Sequence, residues 1–329
     1  MRAAFVPRYG PPEVVEIRQL PTPEPGAGEL RIRVIATAVT AGDWRVRSGR
    51  LPRGFGLLRG LALGFGGPRK GVLGTDAAGV VDAVGEGVTR FKVGDAVLAF
   101  PGATMGGHAE FLIMPADGKV VPKPTNLSFE EAVALPFGGM AALDFLRRGA
   151  VKAGERVLVN GASGNVGSAA VQLARHMGAH VTAVCSAANA ELVRGLGAEE
   201  VIDYRTTDFA RGGARYDVIV DTVGNAPYAR VKNVLAPGGR LLAVLAELPA
   251  ILGAPFAGRS RKHQVVAGPA AERVEDLVTL AELAERGEFR PVIDRRFGFE
   301  EMVEAYRVVD GGRKRGSVVV RVGDGAPAG

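Results

Sequence analysis

The sequence predicts an α/β chain, an antiparallel β domain followed by a doubly wound parallel sheet. Three observations predict it. Short alternating apolar runs separated by Gly and Pro fill the first third, strand-like and helix-like periods alternate from Ser128 to Leu245, and a glycine-spaced turn joins a strand to a helix within that alternation. At 329 residues the chain is long enough for two cores. Hydrophobic residues at 47% and charged residues at 23% suit a globular chain and exclude a disordered one. The one cysteine, Cys185, excludes an internal disulfide and a cysteine metal cluster. No run reaches about 18 apolar residues, and Met1–Tyr9 lacks an apolar leader with a cleavage site, so the expected location is the cytoplasm with no membrane contact.

In chain order, Met1–Val6 and Val14–Leu20 read as strands around Tyr9-Gly10-Pro11-Pro12, and Pro21–Gly28 as a connection. Glu29–Ala38 alternates through Leu30, Ile32, Val34 and Ala36, a half-buried strand. Gly71–Val84, Asp95–Ala99 and Ala109–Met114 continue the antiparallel pattern, and Ala116–Pro124 reads as the crossing between domains. Ser128 and Glu131 have capping-box spacing and open a helix to Leu135, with a second helix from Phe137 to Arg148. Asp217–Asp221 and Arg240–Leu245 read as buried strands separated by Ala226–Leu235 and a turn at Pro237-Gly238-Gly239. Val223, just past Asp221, falls at the carboxyl edge where such sheets bind ligands. Glu272–Arg286 reads as a helix, Val292–Phe297 as a strand, Phe299–Val309 as a helix and Ser317–Val322 as a closing strand that returns to the first domain, with Gly323–Gly329 a frayed tail. There is no internal repeat.

The centre of the chain is Val157–Asn160 followed by Gly161-Ala162-Ser163-Gly164-Asn165-Val166-Gly167 and the apolar-periodic run Ser168–Met177, which Gly178 ends. This is the opening of a dinucleotide-binding βαβ unit. Gly161 allows the turn, Gly164 lets the backbone approach a pyrophosphate, Gly167 lets the helix pack on the strand, and the phosphates sit on the helix N-terminus. His180–Cys185 is the second strand. An NAD site places an acid about 20 residues past the turn, whereas here Val184-Cys185-Ser186-Ala187 has no acid before Glu191. The lack of an acid and the Ser186 hydroxyl favour NADP(H); the alternative is that Ser186 merely starts a turn.

The formal charge of +6 is unevenly placed. Between Asp43 and Asp76 there is no acid, but Arg45, Arg47, Arg50, Arg53, Arg59, Arg69 and Lys70 fall there beside a glycine-rich apolar stretch. Two readings stand: a lid whose positive field attracts a phosphorylated cofactor or anionic substrate, or a solvated basic surface loop.

Tyr9–Val14, Gly74–Val81, Val84-Gly85, Phe91–Val97, Gly161–Ala174, Leu196-Gly197-Ala198 and Val201–Arg205 together make the chain resemble a zinc-free medium-chain dehydrogenase/reductase of the quinone oxidoreductase type. The resemblance implies a GroES-like catalytic domain at 1–124 and 268–329, a Rossmann domain at 125–267, and a cleft between them. It implies an NADPH-dependent reductase of quinones or α,β-unsaturated carbonyls acting on a small molecule, commonly as a homodimer. It carries phosphate contacts onto Gly161, Ser163, Gly164, Asn165 and Val166, and adenosine-phosphate contacts onto Ser186 and Tyr204. Asn189 stands where the family often has a lysine, for which Arg205 would compensate.

Zinc-dependent relatives use a Cys and a His where this chain has Thr40 and Thr75. A threonine hydroxyl is a poor zinc ligand, so no zinc is expected. His108, His176, His180 and His263 supply no substitute: Gly178 separates His176 from His180, and His108 suits a turn or edge. Without zinc, a carbonyl must be polarised by hydrogen bonds. The resemblance faces Thr40 to the cleft as the donor candidate, the alternative being purely local hydrogen bonding. Asp43 reads as bracing that loop or pairing Arg45 rather than as a base. The alternatives within the superfamily are an enoyl-thioester reductase, whose tyrosine is replaced by Leu51 and so matches less well, and a zinc-free alcohol or aldehyde oxidoreductase. Trp44 suits a core position or an aromatic pocket. A cofactor-binding protein that holds RNA through the basic segment is the reading of another class. It requires one continuous basic face with stacking aromatics, and Phe55 and Phe65 are the only ones after Trp44 there.

Overall fold

The computed structural model describes residues 1–51, 53, 54, 56, 59–254, 256 and 262–323. The first third contains β1 (Arg2–Phe5), β2 (Glu16–Gln19), β3 (Glu29–Val39), α1 (Ala41–Ser48), α2 (Arg59–Leu63), β4 (Ala77–Val84), β5 (Ala96–Ala99), β6 (Phe111–Pro115) and β7 (Val120–Pro122). Strand and helix then alternate through α3 (Phe129–Ala132), α4 (Pro136–Arg148), β8 (Arg156–Asn160), α5 (Asn165–His176), β9 (His180–Cys185), α6 (Ala190–Gly195), β10 (Glu200–Asp203), β11 (Tyr216–Asp221), α7 (Tyr228–Val231), β12 (Leu235–Ala243), α8 (Leu248–Gly253) and β13 (Gln264–Ala267). The chain closes with α9 (Val274–Glu285), β14 (Ile293–Gly298), α10 (Met302–Asp310) and β15 (Ser317–Arg321).

Period-two patterning decides which strands take one buried face and which take two. In β8, Val157 and Val159 join the core under α4, α5 and α9, while Leu158 joins the core on the opposite face with Val184, Ile219 and Leu241. A strand buried on both sides belongs in a parallel sheet covered by helices. That sheet has the order β10-β9-β8-β11-β12-β13, all neighbours parallel. Its direction of winding reverses between β8 and β11, which opens a crevice at their carboxyl ends. The other large sheet has the order β14-β15-β3-β4-β5-β7, with β6 also on β3. β15 runs antiparallel to β3 and carries β14 parallel beside it, so the C-terminal strands rejoin the N-terminal sheet as expected. Leu30, Ile32, Val34, Val97, Val318 and Val320 pack there against Met302 and Tyr306 of α10.

Several expectations are corrected. Within Gly71–Val84 the strand is β4, which starts at Ala77; in the segment before it Gly74 takes φ +105° and Leu73 O accepts His108 N at 2.9 Å. The crossing expected at Ala116–Pro124 contains β7, an edge strand on β5, where Pro122 is tolerated. The turn expected at Pro237-Gly238-Gly239 lies within β12, whose register on β11 shifts there to absorb it. β13 and α8 were not anticipated, and neither was α1. The α1 sequence, Ala-Gly-Asp-Trp-Arg-Val-Arg-Ser, carries no apolar stripe; its helix is made by its ends, a Thr40 cap and Gly49 at φ +66°.

The basic segment is likewise not one solvated flap. Arg47, on α1, is fully buried, donates to Gly10 O at 2.6 Å and pairs with Asp310 of α10, while Arg45 is half-buried. These two guanidiniums are withdrawn from any continuous basic face. Phe65 is 80% exposed and Trp44 packs partly on the core, whereas Phe55 and the tail at 324–329 lie outside the described residues.

Candidate active site

β8 ends at Asn160 and the chain turns at Gly161, whose φ is +81°. A Cβ there would stand 2.6 Å from both Thr222 Oγ1 and Val223 Cγ2, so the turn after β11 closes tightly on the glycine turn. A Cβ on Gly167 would stand 2.1 Å from Gly161 O, which is why α5 can start so near its strand. Gly164 occupies the N-cap of α5 and offers no side-chain cap, so no capping side chain competes with an anion for the first-turn N–H groups. Opposite, the buried Asp221 carboxylate accepts from Asn160 Nδ2 (2.9 Å) and from the backbone N–H of Val223 (3.1 Å), Gly224 (3.1 Å) and Ala226 (2.9 Å). This network holds half-exposed Val223 at the sheet edge. Asp221 was visible in the sequence only as the end of an apolar strand.

The other nucleotide-site candidates fall into two groups. Ser186, buried at the end of β9, lies beside Tyr204 and Arg205, which follow β10: Cys185 and Asp203 are register partners and Tyr204 N donates to Cys185 O at 3.3 Å. Tyr204 is exposed and the Arg205 guanidinium lies 5.9 Å from its ring centre. Ser163, Asn165 and Val166 sit at the start of α5, but two of their side chains are engaged. Asn189 Nδ2 donates to Ser163 Oγ at 3.0 Å, and Asn165 Nδ2 donates to Ser317 Oγ at 2.8 Å, turning Asn165 toward the other sheet. The loop after α10 joins them: Gly316 N donates to Ser163 O at 2.9 Å and Lys314 Nζ donates to Gly316 O at 2.6 Å. Burial pushes the Lys314 ammonium down to about 8. The signal for it was the Arg313-Lys314-Arg315 run between glycines, which the sequence reading passed over.

Thr40 caps α1 in a capping box: its hydroxyl accepts Asp43 N at 3.3 Å, while an Asp43 oxygen accepts Thr40 N at 2.8 Å and Thr40 Oγ1 at 2.6 Å. The other Asp43 oxygen accepts Gly74 N at 2.9 Å. Asp43 therefore braces the loop as expected and does not pair Arg45. Thr40 Oγ1 is 3.1 Å from Thr75 Oγ1, Thr75 Oγ1 is 2.7 Å from Asp76 Oδ2, and Asp76 Oδ1 accepts Phe137 N at the start of α4 at 3.0 Å. A Cβ on Gly138, in the same turn of α4, would meet Asn165 Oδ1 at 1.8 Å. Thus the threonine cluster and the glycine turn meet through the first turn of α4. Burial, with Asp43 adding to it, holds the Asp76 carboxyl well above the ordinary carboxylate range.

Among the described residues no three His, Cys, Asp or Glu side chains converge as metal ligands. The donors beside Thr40 are two hydroxyls and two carboxylates already occupied by backbone N–H groups, a set that does not fit catalytic zinc. His108 is turned away, bonding Ala38 O at 3.0 Å and Tyr306 OH at 3.3 Å, and His176 and His180 pair with Glu288 and Glu199. The cavity of about 480 Å³ lined by Arg215, Lys232 and His263 lies at the amino ends of β11–β13, the wrong end of the sheet for a nucleotide. Among the described residues no helix is long and apolar enough to cross a membrane.

Residues 26–125 match the family model of the alcohol dehydrogenase GroES-like domain, and residues 196–320 that of the zinc-binding dehydrogenases. A quinone oxidoreductase of Pseudomonas aeruginosa is 33% identical over 329 aligned positions, covering 95% of this chain and 97% of that protein. The chain belongs to the medium-chain dehydrogenase/reductase superfamily. A mouse mitochondrial NAD(P)H oxidoreductase, RTN4IP1, is 32% identical to this superfamily member over 98% of the chain and 89% of its own length. The solved quinone oxidoreductase of Coxiella burnetii superposes with a TM-score of 0.85 at 28% identity, covering 98% and 99% of the two chains. As a medium-chain dehydrogenase/reductase the protein has the GroES-like and Rossmann folds and is an oxidoreductase that binds NAD(P)H.

Proposed function

We propose that this protein is a zinc-independent, NADPH-dependent reductase of quinones or α,β-unsaturated carbonyls. The observation that carries the reading is the Thr40–Thr75 pair, two hydroxyls 3.1 Å apart in the positions where zinc-dependent relatives have Cys and His. NADPH is favoured by the meeting of Ser186, Tyr204 and Arg205 at the carboxyl ends of β9 and β10. The nearest acid there, Asp203, accepts Arg205 N at 2.9 Å and so shares its charge with the loop. The glycine turn and the open α5 N-terminus would hold the pyrophosphate, and the Asp221-braced turn at Val223 would wall the nicotinamide.

When bound, the reduced nicotinamide supplies hydride to the acceptor. The Thr40 hydroxyl, which donates to Asp43 Oδ2 at 2.6 Å in the free protein, turns its proton to the acceptor oxygen as charge develops there, while Asp43 keeps the cap of α1 through Thr40 N. An activated acceptor needs no Lewis acid, in keeping with the ligand set. A homodimer is part of the proposal: the parallel sheet ends in β10 and β13, whose outer edges pair with no strand among the described residues.

The test is oxidation of NADPH, with NADH in parallel, against quinones, enones, enals and simple aldehydes in chelator-treated buffer. Turnover of quinones or enones that survives chelation is expected. Thr40→Val should lower kcat by about 10²-fold while leaving NADPH affinity unchanged. Activity that vanishes on chelation and returns with zinc, or tighter binding of NADH than NADPH, overturns the corresponding part of the proposal. Light scattering tests the dimer.

A further inference from the structure

Three oxygen–oxygen contacts run in series through the threonine cluster: Asp76 Oδ2 to Thr75 Oγ1 at 2.7 Å, Thr75 Oγ1 to Thr40 Oγ1 at 3.1 Å, and Thr40 Oγ1 to Asp43 Oδ2 at 2.6 Å. All four side chains are buried. Hydrogen bonds between buried oxygens each call for a proton. With both carboxylates ionised there are two hydroxyl protons for three contacts, so one pair of lone pairs faces another in the interior. One further proton completes the chain.

Its place follows from the donors already present. Asp43 already accepts three hydrogen bonds, from Thr40 N and Thr40 Oγ1 on one oxygen and Gly74 N on the other. Among the described residues Asp76 Oδ1 accepts Phe137 N and its Oδ2 meets Thr75 Oγ1, with no further donor. We infer that Asp43 and Asp76 share one proton, carried on Asp76 Oδ2 and donated to Thr75, which donates to Thr40, which donates to Asp43. The surroundings agree. The charges acting on Asp76 are Asp43 of α1 and Glu272 ahead of α9, both negative, and Lys119, the nearest cation to Glu272, is 2.5 Å from it and paired. Beyond Asp43 lie Tyr306, kept neutral by burial and by that carboxylate, and His108 bonded to it. Burial likewise favours the neutral form of Asp76.

Asp76 is thereby a positioning residue for the proposed reduction, and this consequence rests on the proposed role of Thr40. As the acceptor oxygen gains charge, the Thr40 hydroxyl leaves Asp43 Oδ2, which keeps Thr40 N, and turns to the acceptor; its O–H bond breaks and a new O–H bond forms on the product. Thr75 passes its proton to Thr40 and Asp76 passes its own to Thr75. Asp76 is left as a carboxylate accepting from Thr75 and Phe137 N, and is reprotonated from solvent along the same hydroxyls when product leaves.

The test is Asp76→Asn in the full chain. The amide reproduces the protonated form, with Nδ2 donating to Thr75 and Oδ1 accepting from Phe137 N, but has no proton to pass on. The wild type should show the infrared carbonyl band of a buried protonated carboxyl, absent from the variant. As pH rises above the ordinary carboxylate range, the unfolded chain releases this proton and the folded chain keeps it. Wild-type stability relative to the variant should therefore fall by up to about tenfold in the unfolding constant per pH unit, until the folded group ionises. NADPH affinity should be unchanged and kcat with a quinone should fall at least about tenfold. Absence of both band and slope overturns the shared proton whatever the activity, as does failure of the variant to fold, since the amide keeps every bond of the protonated form. Band and slope present with unchanged kcat overturns the relay, a result separate from the Thr40→Val outcome.

Discussion

Gly164 and Gly167, three residues apart, make different demands, and substituting each with alanine separates packing from ligand approach. At Gly167 a Cβ would lie 2.1 Å from Gly161 O, 2.8 Å from Gly161 C and 2.9 Å from Ala162 Cα. All three are backbone atoms of the turn, so no side chain can swing aside, and either α5 or the turn must move. Overpacking of this kind costs about 1–3 kcal/mol, offset by up to about 1 kcal/mol from the better helix propensity of alanine. A net loss of about 1–2 kcal/mol is expected, together with at least about tenfold weaker NADPH binding, because the displaced turn is the one that holds phosphate. At Gly164 the same Cβ meets only Gly161 O, at 3.4 Å, and φ is −77°, an ordinary value for alanine. Gly164→Ala should therefore cost less than about 1 kcal/mol, the difference between glycine and alanine as an N-cap, yet weaken NADPH binding about tenfold or more, since its methyl points where backbone must approach the pyrophosphate. Urea unfolding read by the fluorescence of the single tryptophan, Trp44, gives the first quantity and calorimetric titration with NADPH the second. If Gly164→Ala binds NADPH like the wild type, the phosphates do not lie over Gly164 and the assignment of the turn is wrong.

Other consequences follow from the same contacts. Arg47→Met removes the fully buried guanidinium paired with Asp310 and should cost about 3 kcal/mol, the lower end of the range for breaking a buried pair because Asp310 is 30% exposed; urea unfolding checks it, and Asp310→Asn in the same background should add little. Asp221→Asn replaces an acceptor of three backbone N–H groups by a group that cannot serve them all, and should cost about 1–3 kcal/mol while raising the KM for NADPH, read by unfolding and steady-state kinetics. For Lys314 the folded value, about 8, lies below the ordinary lysine value, so the unfolded chain binds more protons between the two and stability contributed at this site rises with pH from about 8 upward. Lys314→Met should flatten that rise in unfolding experiments across the interval, and a stability profile that stays the same in the variant contradicts a buried ammonium.

The parts of the fold readable in the sequence were those whose signal repeats. β3 shows it by the alternation of Leu30, Ile32 and Val34 with polar residues, α5 by its apolar stripe, and the closing β14-α10-β15 unit by a change of period after Gly268. What escaped reading had its cause elsewhere in space. β13 is four residues long and becomes a strand by pairing with β12, and α1 exists through its two ends while its interior has no helical pattern. The same division runs through the site. Gly161, Gly164 and Gly167 are spaced by local backbone need, so their roles are written in one stretch of chain. Thr40, Thr75 and Asp76 come from separate segments and acquire meaning only when Asp43 bonds Gly74 and Phe137 N reaches Asp76. Arg47 gives the sharpest case. As one of seven cations in an acid-free run it read as surface charge, and its partner Asp310 is 263 residues away. The loop that follows Asp310 ends on Ser163 of the glycine turn, so one ion pair ties the helix that Thr40 caps to the helix whose exit braces the nucleotide turn. Local pattern can announce a phosphate turn. The proton chain and the brace behind it are properties of tertiary contact alone.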